Sequence, residues 1–180
     1  MLCATGIDAN GEFYPIAFGV IDNKNEENRV WFLQHLCVTF QVSWSTTFVY
    51  DRRKELLAAM DLVFQGVEHA FCINHLDANL KKKCSDGEFI RFVWKAASAK
   101  SVEAFNEAIE CMRASDAEAT EWILTSSPPQ HWATAHFEGK RFGHLTPNIG
   151  DALNSWLLEA RDKPIISVLE IIRMQLIDRF

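Results

Sequence analysis

The sequence lacks a long apolar run, an amino-terminal targeting signal and an excess of basic residues. Its longest apolar stretches, such as residues 16–21, fall far short of the roughly 20 residues that a transmembrane helix needs. The first eight residues carry neither a basic region nor the apolar segment of a secretory signal, which predicts that the chain stays in the reducing interior of the cell. A net charge of −6 argues against a stand-alone nucleic-acid-binding domain, which is typically strongly basic.

The chain lacks paired cysteine motifs, and its cysteines are irregularly spaced. The chain has five cysteines, an odd number, so free and largely buried thiols are expected in a reducing compartment. Cys72 and His75 have the Cys-x-x-His spacing that can chelate zinc, but a tetrahedral site needs two further ligands and no second pair matches. Cys84, His136 and His144 could be recruited as those ligands. The alternative is that Cys72 is a buried thiol on a strand.

The residues that are present predict a globular α/β domain. With 48% hydrophobic and 23% charged residues, the chain can bury a core. Apolar runs predict strands over residues 2–7, 13–21, 46–50 and 69–73, with an Asn10-Gly11 hairpin turn between the first two. Helices are predicted after the caps at residues 22–25 and after Asp51.

Beyond about residue 88 the strand signals stop and helical periodicity takes over. One amphipathic helix is predicted from Val102 to Met112, and a capping-box pattern from Ser115 to Glu118 predicts the start of another. The two prolines at 128–129 end that helix. Apolar faces then predict helices over residues 149–160 and from Pro164 to the carboxyl end.

Asp51 is the residue that most suggests chemistry. It follows a strand directly, and carboxylates at the mouth of a mostly parallel sheet commonly hold Mg²⁺ for reactions on phosphates. The alternative is that Asp51 caps a helix beginning at Arg52. Three short basic segments, at residues 52–54, 81–83 and 140–141, could contact a phosphate backbone. A solvated surface explains each one, and only their gathering around Asp51 would favour DNA.

Several separated motifs together resemble the transposase domain of Mutator-like elements (MULE). They occur in the family's order and cover nearly the whole chain: residues 2–11 (LCATGIDANG), 13–20 (FYPIAFGV), 31–33 (WFL), 51–57 (DRRKELL), 72–76 (CINHL), 132–137 (WATAHF) and 148–155 (NIGDALNS).

This resemblance implies a ribonuclease-H-like mixed sheet with a helical insertion. It divides the chain into a partial core over residues 1–80, a mainly helical insertion over 81–145 and carboxy-terminal core helices over 146–180. It also implies a nuclear enzyme that binds transposon ends, cuts and joins DNA, and can act as an oligomer. In the family an Asp, Asp, Glu triad holds two Mg²⁺ or Mn²⁺ ions that stabilise the attacking and leaving oxygens.

The resemblance assigns the second acid to Asp51 and the third to Asp151, where the family has Glu. The alternative for Asp151 is a first-turn acid favoured by the helix dipole. The first acid lies on a central strand just upstream of the segment that matches residues 2–7, so we expect this chain to be truncated. Asp8 is a turn residue, which makes it a poor replacement.

Without the first acid, we expect the chain to bind metal weakly or not at all and to be unable to cut DNA. The alternatives are a domesticated, non-enzymatic module that binds DNA or a protein, and a pseudogene product without function.

Overall fold

The computed structural model describes residues 1–7, 10–42, 46–84, 86–139, 157–158 and 163–178. The chain divides into two compact units, one of residues 1–3 and 17–146 and the other of residues 4–16 and 147–180. The described elements are, in chain order, β1 (Leu2–Ile7), β2 (Phe13–Gly19), α1 (Glu26–Phe40), β3 (Thr47–Tyr50), α2 (Lys54–Val63), β4 (Glu68–Phe71), α3 (Ile73–Leu80), α4 (Gly87–Ser98), α5 (Val102–Ser115), α6 (Ala117–Ser126), two 3-10 turns (Pro129–His131 and Thr134–His136) and α7 (Ile165–Ile177). They confirm the predicted mixed α/β class at this coarse level.

Strands β1 and β2 pair as the predicted hairpin. Gly11, in the connection between them, has a φ of +81°, a conformation that glycine adopts without strain. β2 ends at Gly19, two residues before the predicted end, and Val20 is exposed where the chain turns into the loop before α1.

Helix α1 begins where the polar residues predicted a cap. The side chain of Asn25 accepts a hydrogen bond from the backbone N–H of Asn28, and Asp22 accepts bonds from the Asn23 N–H and the Asn28 side chain, both at 2.7 Å. The helix then runs to Phe40.

Strands β3 and β4 form a parallel pair in which Tyr50 lies opposite Phe71. The Tyr50 carbonyl accepts a hydrogen bond from the Cys72 N–H at 3.0 Å, so Tyr50 directs its backbone groups toward β4. Because these groups alternate in direction along a strand, the N–H and C=O of Val49 face the outer edge of β3. In the described part of the chain no strand pairs with that edge. The outer edge of β4 is covered, since His131 Nδ1 lies 3.2 Å from the carbonyl oxygen of His69.

The main hydrophobic core lies in the helical half of the chain. One cluster of buried side chains runs from Ile73 in α3 through α4, α5 and α6 to Trp132 and Ala133. Trp132 is fully buried, and its Nε1–H donates to the Ser127 carbonyl at 2.8 Å. A large ring with its only polar atom satisfied is a stable core residue.

The predicted capping box at the start of α6 is wrong by one residue. Asp116 is the N-cap and its side chain accepts from the Ala119 N–H, whereas Ser115 is the last residue of α5 and donates its hydroxyl to Asp86 at 3.2 Å. α7 begins after Pro164, as predicted, and buries Val168 and Ile172. The helix predicted over residues 149–160 falls almost entirely outside the described residues.

Candidate functional site

Asp51 lies at the carboxyl end of the parallel β3–β4 pair. It directly follows Tyr50, and Cys72 directly follows the neighbouring strand, so both residues lie at the same end of the pair. The sequence analysis predicted that Asp51 lies at such a strand end and suggested metal binding there, because ligands of open α/β sheets bind beyond the carboxyl ends of the strands.

Asp51 is not a helix cap, so that alternative is wrong. Helix α2 begins at Lys54, its N-cap is Arg53, and no side chain caps it. The Asp51 carboxylate instead accepts a hydrogen bond from Nε of Arg53 at 3.0 Å, with the Asp51 side chain 25% and the Arg53 side chain 62% exposed. A pair this exposed stabilises the fold by only about 0–1 kcal/mol.

Arginines dominate the charge around Asp51. Burial lowers the pKa of Arg29, the charge of Arg53 lowers it further, and Glu55 and Asp51 oppose the change. Burial also lowers the pKa of Arg52, again opposed by Asp51. Three guanidinium groups and two carboxylates therefore interact in this region.

The described residues do not by themselves fit a divalent cation at Asp51. Mg²⁺ favours carboxylate oxygens, and here one of the two Asp51 oxygens is bonded to Arg53. Asp151, the other predicted acid, lies outside the described residues, as does Asp8. Their assignment to a metal site remains a prediction.

Cys72 and His75 differ in exposure. Cys72 is 3% exposed at the N-cap of α3, and His75 is exposed on that helix. Cys84 is buried in the helical core, and the His136 ring packs edge-on against Phe105 at 4.5 Å. Within the described ranges, no three His, Cys, Asp or Glu residues gather where they could hold a metal, and His144 lies outside those ranges. The zinc pair remains a prediction.

Two of the three basic segments meet on one aromatic ring. The Arg52 guanidinium carbon lies 5.9 Å and the Lys83 Nζ 4.8 Å from the ring centroid of Trp122 on α6. Lys81 makes an ion pair with Asp77 at 3.0 Å, and the segment at 140–141 lies outside the described residues. The sequence did not indicate that Trp122 contacts Arg52, because no local pattern connects the two residues.

A cleft of about 420 Å³ lies at the opposite, amino end of β4. Its lining includes Glu68, His69, His131 and Glu138. The Tyr50 hydroxyl lies 2.9 Å from Nδ1 of His69, and burial raises the pKa of Tyr50, so this tyrosine stays protonated at neutral pH. The sequence did not indicate this cleft, since its lining comes from segments more than 60 residues apart.

Comparison with known proteins supplies a family for the first part of the chain. A family model described as the MULE transposase domain matches residues 1–79, less than half of the 180 residues. The matched range includes Asp51, Cys72 and His75 and ends within α3. No curated protein matches the chain. Among the helices of the described ranges, none is long and apolar enough to cross a membrane.

Proposed function

We propose that this chain is a transposase-derived domain that binds DNA, because residues 1–79 match the family model of the MULE transposase domain. The ancestral reaction is metal-dependent cleavage and strand transfer of DNA at transposon ends. Such a protein acts in the nucleus, where its substrate is. The observation that carries the proposal is the family match together with the position of Asp51 at the carboxyl end of β3.

The order of elements supports a ribonuclease-H-like ancestry. A hairpin, a helix, a strand, a helix and a parallel strand follow one another over residues 2–71. In that fold a central strand lies between the hairpin and the β3–β4 pair. The outward-facing backbone of Val49 offers the edge on which such a strand would pair, directly beside Asp51.

Asp51 and Asp151 are the residues that would hold Mg²⁺ or Mn²⁺ in the ancestral site, with a further acid from the central strand. The metal would stabilise the charge that develops on the phosphate oxygens during in-line displacement. In the present chain Asp51 is paired with Arg53, and arginines outnumber carboxylates around it. We therefore propose that residues 1–180 bind DNA without cutting it.

The test is a nicking assay on supercoiled plasmid with Mg²⁺ or Mn²⁺. We expect no cleavage by the natural chain. A variant that carries an added amino-terminal strand with an Asp should cut detectably, and Asp151→Glu in that background should cut faster, because Glu restores the reach of the family's third acid.

The matched control is Asp51→Ala in both backgrounds. It should abolish cleavage by the extended variant and leave the natural chain unchanged. Cleavage by the natural chain that disappears in Asp51→Ala would overturn the proposed inactivity. An extended variant that cuts equally well with Asp51→Ala would overturn the assignment of Asp51.

A second candidate function is a domesticated module that binds DNA or a protein and has lost selection for catalysis. The Asp51–Arg53 ion pair favours it, since a carboxylate bonded to an arginine is a poorer metal ligand. Failure of every extended variant to cut, with DNA binding retained, would favour this candidate over an inactive remnant of the enzyme.

A further inference from the structure

Trp122 brings together two cations from distant parts of the sequence. Arg52 follows β3, Lys83 follows α3, and Trp122 lies on α6, yet both cations lie within 5.9 Å of the same ring centroid. Trp122 is half-buried and packs against the helical core, so the ring is a fixed platform. Cations placed over an indole face are attracted to it by about 0.5–1 kcal/mol at exposed sites.

Arg52 is held in place through one of its guanidinium nitrogens, and its other N–H donors remain available. Its NH1 group donates to the carbonyl of Ser126 at 2.7 Å and to the hydroxyl of Ser127, which is fully buried. A guanidinium has five N–H donors. In the described part of the chain its NH2 and Nε groups make no hydrogen bond, so they can still donate to an anion.

Lys83 and its neighbour Lys82 are exposed and make no ion pair with any described carboxylate. Lys81, in contrast, is neutralised by Asp77. Because Lys83 and Arg52 both lie within 5.9 Å of the Trp122 ring centroid, their like charges repel one another. An anion bound between them would remove this repulsion, and a phosphate is the anion whose geometry suits both a guanidinium and an ammonium group.

We propose that Arg52, Lys82 and Lys83, arranged around Trp122, bind the phosphodiester backbone of DNA. This inference rests on the proposed function and specifies where the strand lies. Arg53 assists by neutralising Asp51, whose carboxylate would otherwise repel a phosphate beside Arg52. Binding here needs no metal ion, and because it engages the backbone it does not discriminate between base sequences.

The test is fluorescence anisotropy with a labelled oligonucleotide, single-stranded and as a duplex, over a range of salt concentrations with EDTA present. The double variant Lys82→Gln with Lys83→Gln should bind more weakly. For each lysine removed, the slope of log Kd against log salt should fall by about 1. Replacing Lys83 by arginine and not by glutamine, again together with Lys82→Gln, should recover the contribution of position 83, because arginine keeps the charge.

The control is Lys100→Gln, which removes the same charge at an exposed position. Lys83 precedes and Lys100 follows α4, a helix of 12 residues that is about 18 Å long. Lys100→Gln should leave unchanged both the affinity for the oligonucleotide and the slope of log Kd against log salt. The thermal transition of Lys100→Gln should match that of the natural chain, and that of the double variant should fall by no more than the loss of one exposed cation–π contact, since these lysines make no ion pair with a described residue.

The outcomes separate the two proposals. A natural chain that binds DNA, with the double variant binding equally well, would overturn the Trp122 surface and leave the proposed function standing. A natural chain that binds no DNA at low salt would overturn both. Displacement of the oligonucleotide by inorganic phosphate at matched ionic strength would identify a site for a free anion and overturn the assignment to a DNA backbone.

Discussion

Gly19 on β2 is a position where a single methyl group should matter. A Cβ on Gly19 would lie 2.7 Å from Cδ2 of Phe32, a buried ring on α1. Gly19→Ala should therefore lower the free energy of unfolding by about 1–3 kcal/mol, the usual cost of overpacking a core. Urea unfolding followed by circular dichroism measures the change.

Gly87, the first residue of α4, is the matched control because a Cβ there meets no atom within 4 Å. Gly87→Ala should be neutral or stabilise the chain by up to about 1 kcal/mol, since alanine favours the helix. Equal unfolding midpoints for the Gly19 and Gly87 variants would contradict the close contact with Phe32.

The carboxylate of Asp22 should make stability depend on pH. Hydrogen bonds from the Asn23 N–H and the Asn28 side chain lower the pKa of Asp22. A lowered folded pKa contributes stability that is present above the unfolded value of about 3.9 and is lost as the pH falls through the folded pKa. Asp22→Asn should thus unfold at lower urea concentration at pH 7, and the difference from the natural chain should shrink toward pH 3. A difference that persists at pH 3 would contradict the role of the charge.

Sequence reasoning found Asp51 but not its surroundings. Its position after an apolar run was enough, because strand ends are marked locally by the change from apolar to polar residues. The ion pair with Arg53 was not predicted, because the sequence indicated only metal binding or helix capping for Asp51. The contact of Arg52 with Ser126 and Ser127 joins residues 74 and 75 apart, and no local pattern encodes such a contact.

Among the elements, helix α3 was not predicted, and the strand predicted over residues 69–73 extended into its first residue. The apolar run at 69–73 favoured a strand, but β4 ends at Phe71 and Ile73 already begins the helix. The spacing of Ile73, Leu76 and Leu80 is helical, and these three side chains are fully or almost fully buried. A short apolar run fits either period, so only burial in the helical core decides it.

Helix α4 was not predicted, although its sequence has helical periodicity. Its buried residues, Phe89, Ile90, Val93, Ala96 and Ala97, recur with helical spacing after an Asp86 N-cap. Phe92 and Trp94 lie between them, so apolar residues extend beyond the buried face and make its limits harder to recognise. Here the missing information was in the sequence itself.

At the level of elements, zinc should not be needed to hold α3 against β4. Cys72 is already the N-cap of α3, its N–H is bonded to the Tyr50 carbonyl, and the helix packs through buried apolar side chains. EDTA should therefore leave the thermal unfolding transition unmoved. Cys72→Ser should destabilise the chain equally with and without EDTA, because it acts through packing.

Stoichiometric zinc in the purified chain, measured by elemental analysis, would contradict this expectation. A thermal transition temperature that falls on chelation and recovers when zinc is added back would also contradict it, since metal binding that is coupled to folding stabilises the folded chain.

At the scale of the whole molecule, the outer edge of β3, with which no described strand pairs, should lead to self-association. The outward N–H and C=O of Val49 can pair with the same groups of a second copy, in the way that unprotected sheet edges recruit other chains. Size-exclusion chromatography with light scattering should show mass rising with concentration over about 1–100 µM, a range in which exposed strand edges aggregate. A single monomeric mass throughout would contradict this expectation.

Proline substitutions test the edge directly. Val49→Pro removes a donor that faces away from β4 and should reduce association with the fold retained. Tyr50→Pro, one residue further, removes a donor that faces β4 and should break the β3–β4 pair. Identical behaviour of the two variants would contradict the assigned directions of the backbone groups.

The bond between Arg52 and the end of α6 has a consequence for the order of folding. The contacts within and between α4, α5 and α6 close short loops, whereas the contact of Arg52 with Ser127 spans 75 residues. Closing a longer loop costs more chain entropy, so the helices are expected to assemble first and the turn that carries Asp51 to dock onto them afterwards. The segment with the most suggestive chemistry is then the last to reach its final conformation, and it depends for that conformation on helices that lie outside the matched family domain.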